Sequence, residues 1–184
     1  MTRSIRLALV AVVAATVLSG CLTVHPPEAA RTVVPAFRPE VFFDGQTWGE
    51  GTLKIRGRAA QTVHVESRGQ AEPGGFRLDQ TIRIGDEPPR ERTWHMRPAG
   101  PGRYTSELTD ADGEVTAVVE GNRLTIRYPM RRHIVTMEQR LTLAPGGQSA
   151  QNLATVRMLG VPWARLVETI TRGEPPQTEP TRTP

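Results

Sequence analysis

The 184-residue chain has one cysteine, Cys21, one lysine, Lys54, and only 5% aromatic residues. A single thiol excludes an internal disulfide framework and a cysteine-rich metal site. With so few rings, a core has to rest on Val, Leu, Ile and Ala. Lys54 apart, the 23 basic residues are all arginine, and they are interleaved with 19 acidic ones in no run of five or more. A nucleic-acid-binding face would cluster them, so nucleic acid is not an expected partner. No apolar run approaches the roughly 20 residues of a membrane-spanning helix. No stretch carries a helical stripe longer than two turns, and no internal repeat is visible.

The longest apolar run is Leu7–Val17, interrupted only by Thr16 and preceded by Arg3 and Arg6. A basic start and a short apolar segment are the marks of a secretory signal peptide. Leu18-Ser19-Gly20-Cys21 follows. This tetrapeptide resembles the lipobox of bacterial lipoproteins, which implies cleavage between Gly20 and Cys21 and acylation of the Cys21 thiol. Small residues at 19 and 20 suit a narrow peptidase cleft. Each buried acyl methylene contributes about 0.8 kcal/mol, so two or three chains hold firmly where one does not. Leu22, rather than Asp, follows the cysteine. By analogy with lipoprotein sorting in enteric bacteria, this points to a lipid anchor in the outer membrane, facing the periplasm.

The expected organisation is a signal peptide over 1–20, a Pro-rich tether over 21–40, a folded domain over 41–172 and a disordered tail over 173–184. The tether holds four of the 16 prolines and no clean periodicity, and the tail has no large apolar residue. Between them, alternation of period two predicts strands almost throughout. "GFRLDQTIRI" is the clearest, with Phe76, Leu78, Gln80, Ile82 and Ile84 on one face. Gly121-Asn122 between two such runs is a hairpin-turn signature. About ten strands in series, each with one apolar face and no helix to cover an open sheet, predict an all-β, antiparallel up-and-down barrel of about 8–10 strands. The polar second faces exclude a lipid-embedded porin.

Four stretches resemble one bacterial family: "VFFDGQTWGEG" (Val41–Gly51), "RTWHMRPAGPGRYTSEL" (Arg92–Leu108), "EGNRLTIRY" (Glu120–Tyr128) and "QNLATVRMLGVPWARLVETI" (Gln151–Ile170). They come in the order of the family known as domain of unknown function 3833. That resemblance implies a lipocalin-like, calycin-type barrel on an envelope lipoprotein, and supplies no activity. The chain departs from the family at Ile126, where an aromatic is usual, and at Met158-Leu159, where a Lys-Phe pair is.

No catalytic constellation or cofactor motif is legible. His25, His64, His95 and His133 lie on separate segments without paired-ligand spacing. "TDADGEV" is too short for a calcium loop and reads as a hairpin turn. "AGPGRY" precedes no helix that could cradle phosphate. The informative pattern is polar residues on the apolar parity: Gln80, Arg92, Ser106, His133, Gln139 and Asn152. A dry core would have to hydrogen-bond every one. A cavity could use them to orient the polar end of a lipid or other apolar ligand; a strand bulge would instead turn some outward. Trp94 and Tyr104 join them as expected cavity-lining residues, and Trp48, Trp94 and Trp163 are expected to plug or close the barrel. Three roles stay open: a barrel that carries an apolar molecule, a filled barrel that acts through an envelope protein partner, and a hydrolase or isomerase, which would need His133 and carboxylates clustered inside the barrel. The anchor itself has a direct test: Cys21→Ala is expected to abolish incorporation of radiolabelled palmitate and to leave unprocessed precursor on a gel.

Overall fold

The computed structural model describes residues 35–131 and 134–174. The signal segment with Gly20 and Cys21, the tether up to residue 34, His133 and the tail from residue 175 lie outside the described residues. A one-turn helix, α1 (Pro39–Phe42), leads into ten strands. These are β1 (Gly45–Ile55), β2 (Ala60–Glu72), β3 (Gly75–Ile84), β4 (Arg90–Pro98) and β5 (Arg103–Leu108). They continue as β6 (Val115–Glu120), β7 (Arg123–Met130), β8 (Val135–Leu143), β9 (Ser149–Met158) and β10 (Val161–Arg172). Every strand pairs antiparallel with its neighbours in sequence, and β1 pairs with β10, so the sheet closes into an up-and-down barrel. Closure leaves no strand edge to be covered. The two-residue connection at Gly121-Asn122 joins β6 to β7, with Gly121 at φ 58°, a left-handed conformation that glycine adopts without strain.

One end of the barrel is sealed. Phe37, Phe42 and Phe43 pack ring against ring, with centroids 4.9 to 6.4 Å apart. They continue into a buried cluster with Phe76, Leu78, Trp94, Met96, Leu124, Tyr128 and Leu141. The Phe37 amide donates to the Gly121 carbonyl at 2.8 Å, tying the incoming chain to the β6–β7 turn. Gly69 permits the close approach of α1: a Cβ there would lie 1.9 Å from the Phe43 carbonyl oxygen. The folded body therefore begins before residue 41, because Phe37 and Pro39 are buried in the core rather than part of a free tether.

The tryptophans also depart from the expected plugs. On β1 the buried positions are Thr47 and Gly49, so Trp48 shares the outer face with Gln46 and Glu50. Alternation admits only one of the two parities, and the small residues hold the inner one. Trp163 is exposed at the opposite end, where a bulge between Pro162 and Ala164 shifts the β9–β10 register. Only Trp94 is a buried barrel residue, at 3% exposure. Phe37→Ala should unseat the seal and cost about 3–5 kcal/mol, read as a lower urea midpoint with little change in slope.

Candidate ligand cavity

Away from the seal the barrel is hollow. A cavity of about 440 Å³ runs from the buried cluster toward the loops that join β1–β2, β3–β4, β5–β6, β7–β8 and β9–β10. Its walls are mainly aliphatic: Leu53, Ile55, Val63, Ile82, Ile84, Val135, Val156 and Leu166 project from strands all round the barrel. The lining includes exposed Arg131, Met158 and Trp163, so the cavity reaches the rim. The volume falls within the range of sites for drug-sized ligands, about 300–1,000 Å³.

Polar side chains meet deeper in, from β2, β3, β4, β7, β8, β9 and β10. Gln80 Oε1 accepts from Arg92 Nε at 2.8 Å and from Trp94 Nε1 at 2.7 Å, while Gln80 Nε2 donates to Ser67 Oγ at 3.0 Å. The Arg92 guanidinium lies 5.1 Å from the centre of the Trp94 ring, within cation–π range. It also approaches the Tyr128 hydroxyl at 3.4 Å and the Asp110 carboxylate at 3.9 Å. Gln139 Nε2 donates to the same Tyr128 hydroxyl at 3.3 Å. Asn152 Nδ2 then donates to Gln139 Oε1 at 3.3 Å and to Glu168 Oε2 at 2.9 Å. The chain of bonds is incomplete: the buried Asn152 Oδ1 has no partner, nor does Thr47 Oγ1 nearer the seal. Unmatched buried acceptors are costly, and a polar cavity is where they are tolerated.

Gln80, Arg92, Trp94, Gln139 and Asn152 all line this cavity. Tyr104 does not: it lies at the sealed end, where its hydroxyl donates to Glu40 Oε2 at 3.1 Å. Ser106 also lies outside the lining, its hydroxyl donating to the Glu107 carbonyl at 3.0 Å. His64 is exposed, and His95 meets the Glu72 carboxylate at 3.0 Å on the outer wall. Among the described residues no group of three His, Cys, Asp or Glu is placed to hold a metal ion.

Sequence reasoning missed Ser67, Tyr128 and Glu168. Glu168 had a signal, since it shares the inward parity of Ala164, Leu166 and Ile170 on β10. Its position depends on glycine across the closing pair of strands. A Cβ on Gly49 would stand 2.1 Å from Glu168 Oε1, and one on Gly51 would meet the Val167 carbonyl at 2.4 Å. The "WGEG" of β1 thus leaves a hollow that the Glu168 carboxyl fills.

Comparison with known proteins places the chain in a family. It belongs to the family described as protein of unknown function (DUF3833), whose profile matches residues 15–170. No curated protein matches it. Several solved structures share the fold. The S-type phycobiliprotein lyase CPES from Guillardia theta superposes with a TM-score of 0.59 at 7% identity, over 74% of this chain and 91% of that one. A protein of unknown function from the DUF3598 family of Nostoc punctiforme gives 0.58 at 15% identity, over 76% of this chain and 50% of that one. Rv2717c from M. tuberculosis gives 0.54 at 15%, over 75% and 99%.

Glu168 is 4% exposed, and burial raises its carboxyl above the usual 4.5; the Asn152 hydrogen bond and the Arg92 charge offset part of that. The native state then holds a proton that the unfolded chain has released. The favourable contribution of the neutral acid is complete below about pH 4.5 and is lost as pH rises through the folded value. Glu168→Gln, which keeps an acceptor for Asn152, should therefore unfold at a higher temperature than the parent at about pH 8. The gap should shrink toward zero by about pH 4 in a series of thermal melts. A gap that widens on acidification would contradict the buried-acid account.

Proposed function

We propose that the chain is a lipid-anchored envelope protein whose barrel binds one small, largely apolar molecule by enclosing its body and hydrogen-bonding its polar end. The observation that carries this reading is the cavity of about 440 Å³, aliphatic toward the rim and crossed at depth by the Gln80–Arg92–Tyr128–Gln139–Asn152–Glu168 network. Apolar walls supply affinity through area removed from water, at about 25 cal/mol per Å². The convergent polar groups supply orientation, because a ligand that leaves them unmatched forfeits hydrogen bonds.

The network suits an uncharged or weakly anionic end. Arg92 is held within reach of Asp110 and is not a bare cation, and Glu168 favours its neutral form. The likeness to the phycobiliprotein lyase extends to the fold and carries no reaction across. The envelope address rests on Leu18–Cys21. A barrel working only through a protein partner would have no use for a void of this size, since well-packed interiors leave few gaps larger than a water molecule.

Native mass spectrometry of protein extracted gently from membranes should detect one small apolar molecule per chain. An apolar fluorophore should bind the delipidated protein and be displaced by that extract. Ala154 lines the cavity at 3% exposure. Ala154→Phe should fill the space and weaken fluorophore binding by at least about tenfold, or about 1.4 kcal/mol. Empty protein in every extract, together with no fluorophore binding, would overturn the proposal.

A further inference from the structure

The cavity mouth has two chemically different sides. Among the described residues, five of the eight large apolar side chains that stand out into solvent are Ile134, Met158, Leu159, Val161 and Trp163. They lie around the β9–β10 connection and beside it. The Leu159 amide donates to the Ile134 carbonyl at 2.9 Å, and Val161 sits opposite Met158 in the β9–β10 ladder. The Trp163 carbonyl accepts from the Arg56 amide at 2.9 Å. Isolated exposed apolar residues are ordinary, whereas a contiguous set at the entrance of a cavity marks a contact surface. Leu159 is 78% exposed and is held at φ 49°, a conformation that costs a leucine and suits glycine or asparagine. The turn gains nothing from a leucine there, so its side chain is not present for the fold.

Charge follows the same division, apart from Arg90 at the start of β4, which is ion-paired to Glu87. Arg56, Arg58, Arg131 and Arg165 are exposed around the apolar lip, on β10 and the loops β1–β2 and β7–β8. The two remaining loops at this end, β3–β4 and β5–β6, hold Asp86, Glu87, Asp110, Asp112 and Glu114. The strand order places these two loops side by side, across the mouth from the β9–β10 connection. Apolar residues that can enter the headgroup boundary, bordered by arginines and backed by an acidic side that is repelled, match the surface of an anionic bilayer. We propose that the β9–β10 turn, with Arg131 and Ile134 beside it, docks the barrel mouth onto an anionic lipid surface, with Leu159, Val161 and Trp163 inserted among the headgroups. Because Met158, Trp163 and Arg131 also line the cavity, docking would bring the cavity's own wall to the membrane, so that an apolar molecule could pass without crossing water.

The test uses the full chain in vesicles whose phosphatidylglycerol or phosphatidylcholine carries brominated acyl chains, which quench tryptophan fluorescence on contact. It is run in the Ala154→Phe background, so that quenching by a lipid held in the cavity is reduced and a failure of the ligand reading leaves this result intact. Quenching is expected in phosphatidylglycerol vesicles and absent in phosphatidylcholine. It should disappear in Trp163→Phe, and in Leu159→Asp with Val161→Asp, two exposed changes outside the core. Arg56→Glu with Arg165→Glu should lower the quenching in phosphatidylglycerol vesicles by about tenfold or more at about 0.1 M salt. Equal quenching in both lipids, or quenching unchanged by Trp163→Phe or by the paired aspartates, would overturn the proposal. So would a photo-crosslinker at residue 159 that captures one envelope protein and no lipid.

Discussion

The pairing of β1 with β10 is the contact on which the rest of the molecule depends. It runs from Thr47 opposite Arg172 to Ile55 opposite Ala164 and turns a ten-strand meander into a closed surface. Closure gives every residue an inside or an outside, and a slip of one residue would exchange the two. It also builds the deepest part of the cavity. Gly49 and Gly51 on β1 leave the space that Glu168 on β10 occupies, and Asn152 on β9 reaches Glu168 only because these strands stand side by side. The first and last strands of the chain therefore supply one site.

Composition explains why this interior is half full. Ten strands enclose a wider lumen than eight, whose interior side chains can just fill. The chain has only four phenylalanines, and all of them belong to the buried cluster that includes the seal. The other half is lined by Ile, Val, Leu and Met, whose volumes do not meet across the axis, and a void remains. Trp94 stands at the boundary between the halves, edge-on to Tyr128 with centroids 5.7 Å apart and bonded to Gln80. The polar network lies where the packed region ends, so its members are buried without being fully enclosed by hydrocarbon.

The two ends of the barrel thus differ in kind. The chain enters at the sealed end, where Phe37 meets the β6–β7 turn, and the mouth opens at the other. A Trp163 bulge, a left-handed Leu159 and an arginine border all fall on one side of that mouth. Local irregularity is concentrated there, while the walls and the sealed end keep regular pairing and dense packing.

Much of the barrel was legible in the chain itself. Period-two alternation located the strands, and Gln80, Arg92, Gln139 and Asn152 announced themselves as polar residues on an apolar parity, because alternation is a local property set by the backbone. Trp48 was misplaced because "TWGEG" taken alone offers no apolar face; its parity is set by Leu53 and Ile55 further along the same strand. Phe37 read as tether because the hydrogen bond that fixes it to the barrel goes to a turn 84 positions further along. Glu168 was passed over because a lone carboxylate in a strand is ordinarily solvated, and only a pair of glycines more than a hundred residues away makes room for it inside. The strands, their inner faces and the shortage of aromatic volume to fill them follow from local period and composition, and so can be read along the chain. Which end is sealed, which polar groups touch and whether a cavity survives are set by distant segments meeting at fixed distances across a closed sheet, and no local pattern carries them.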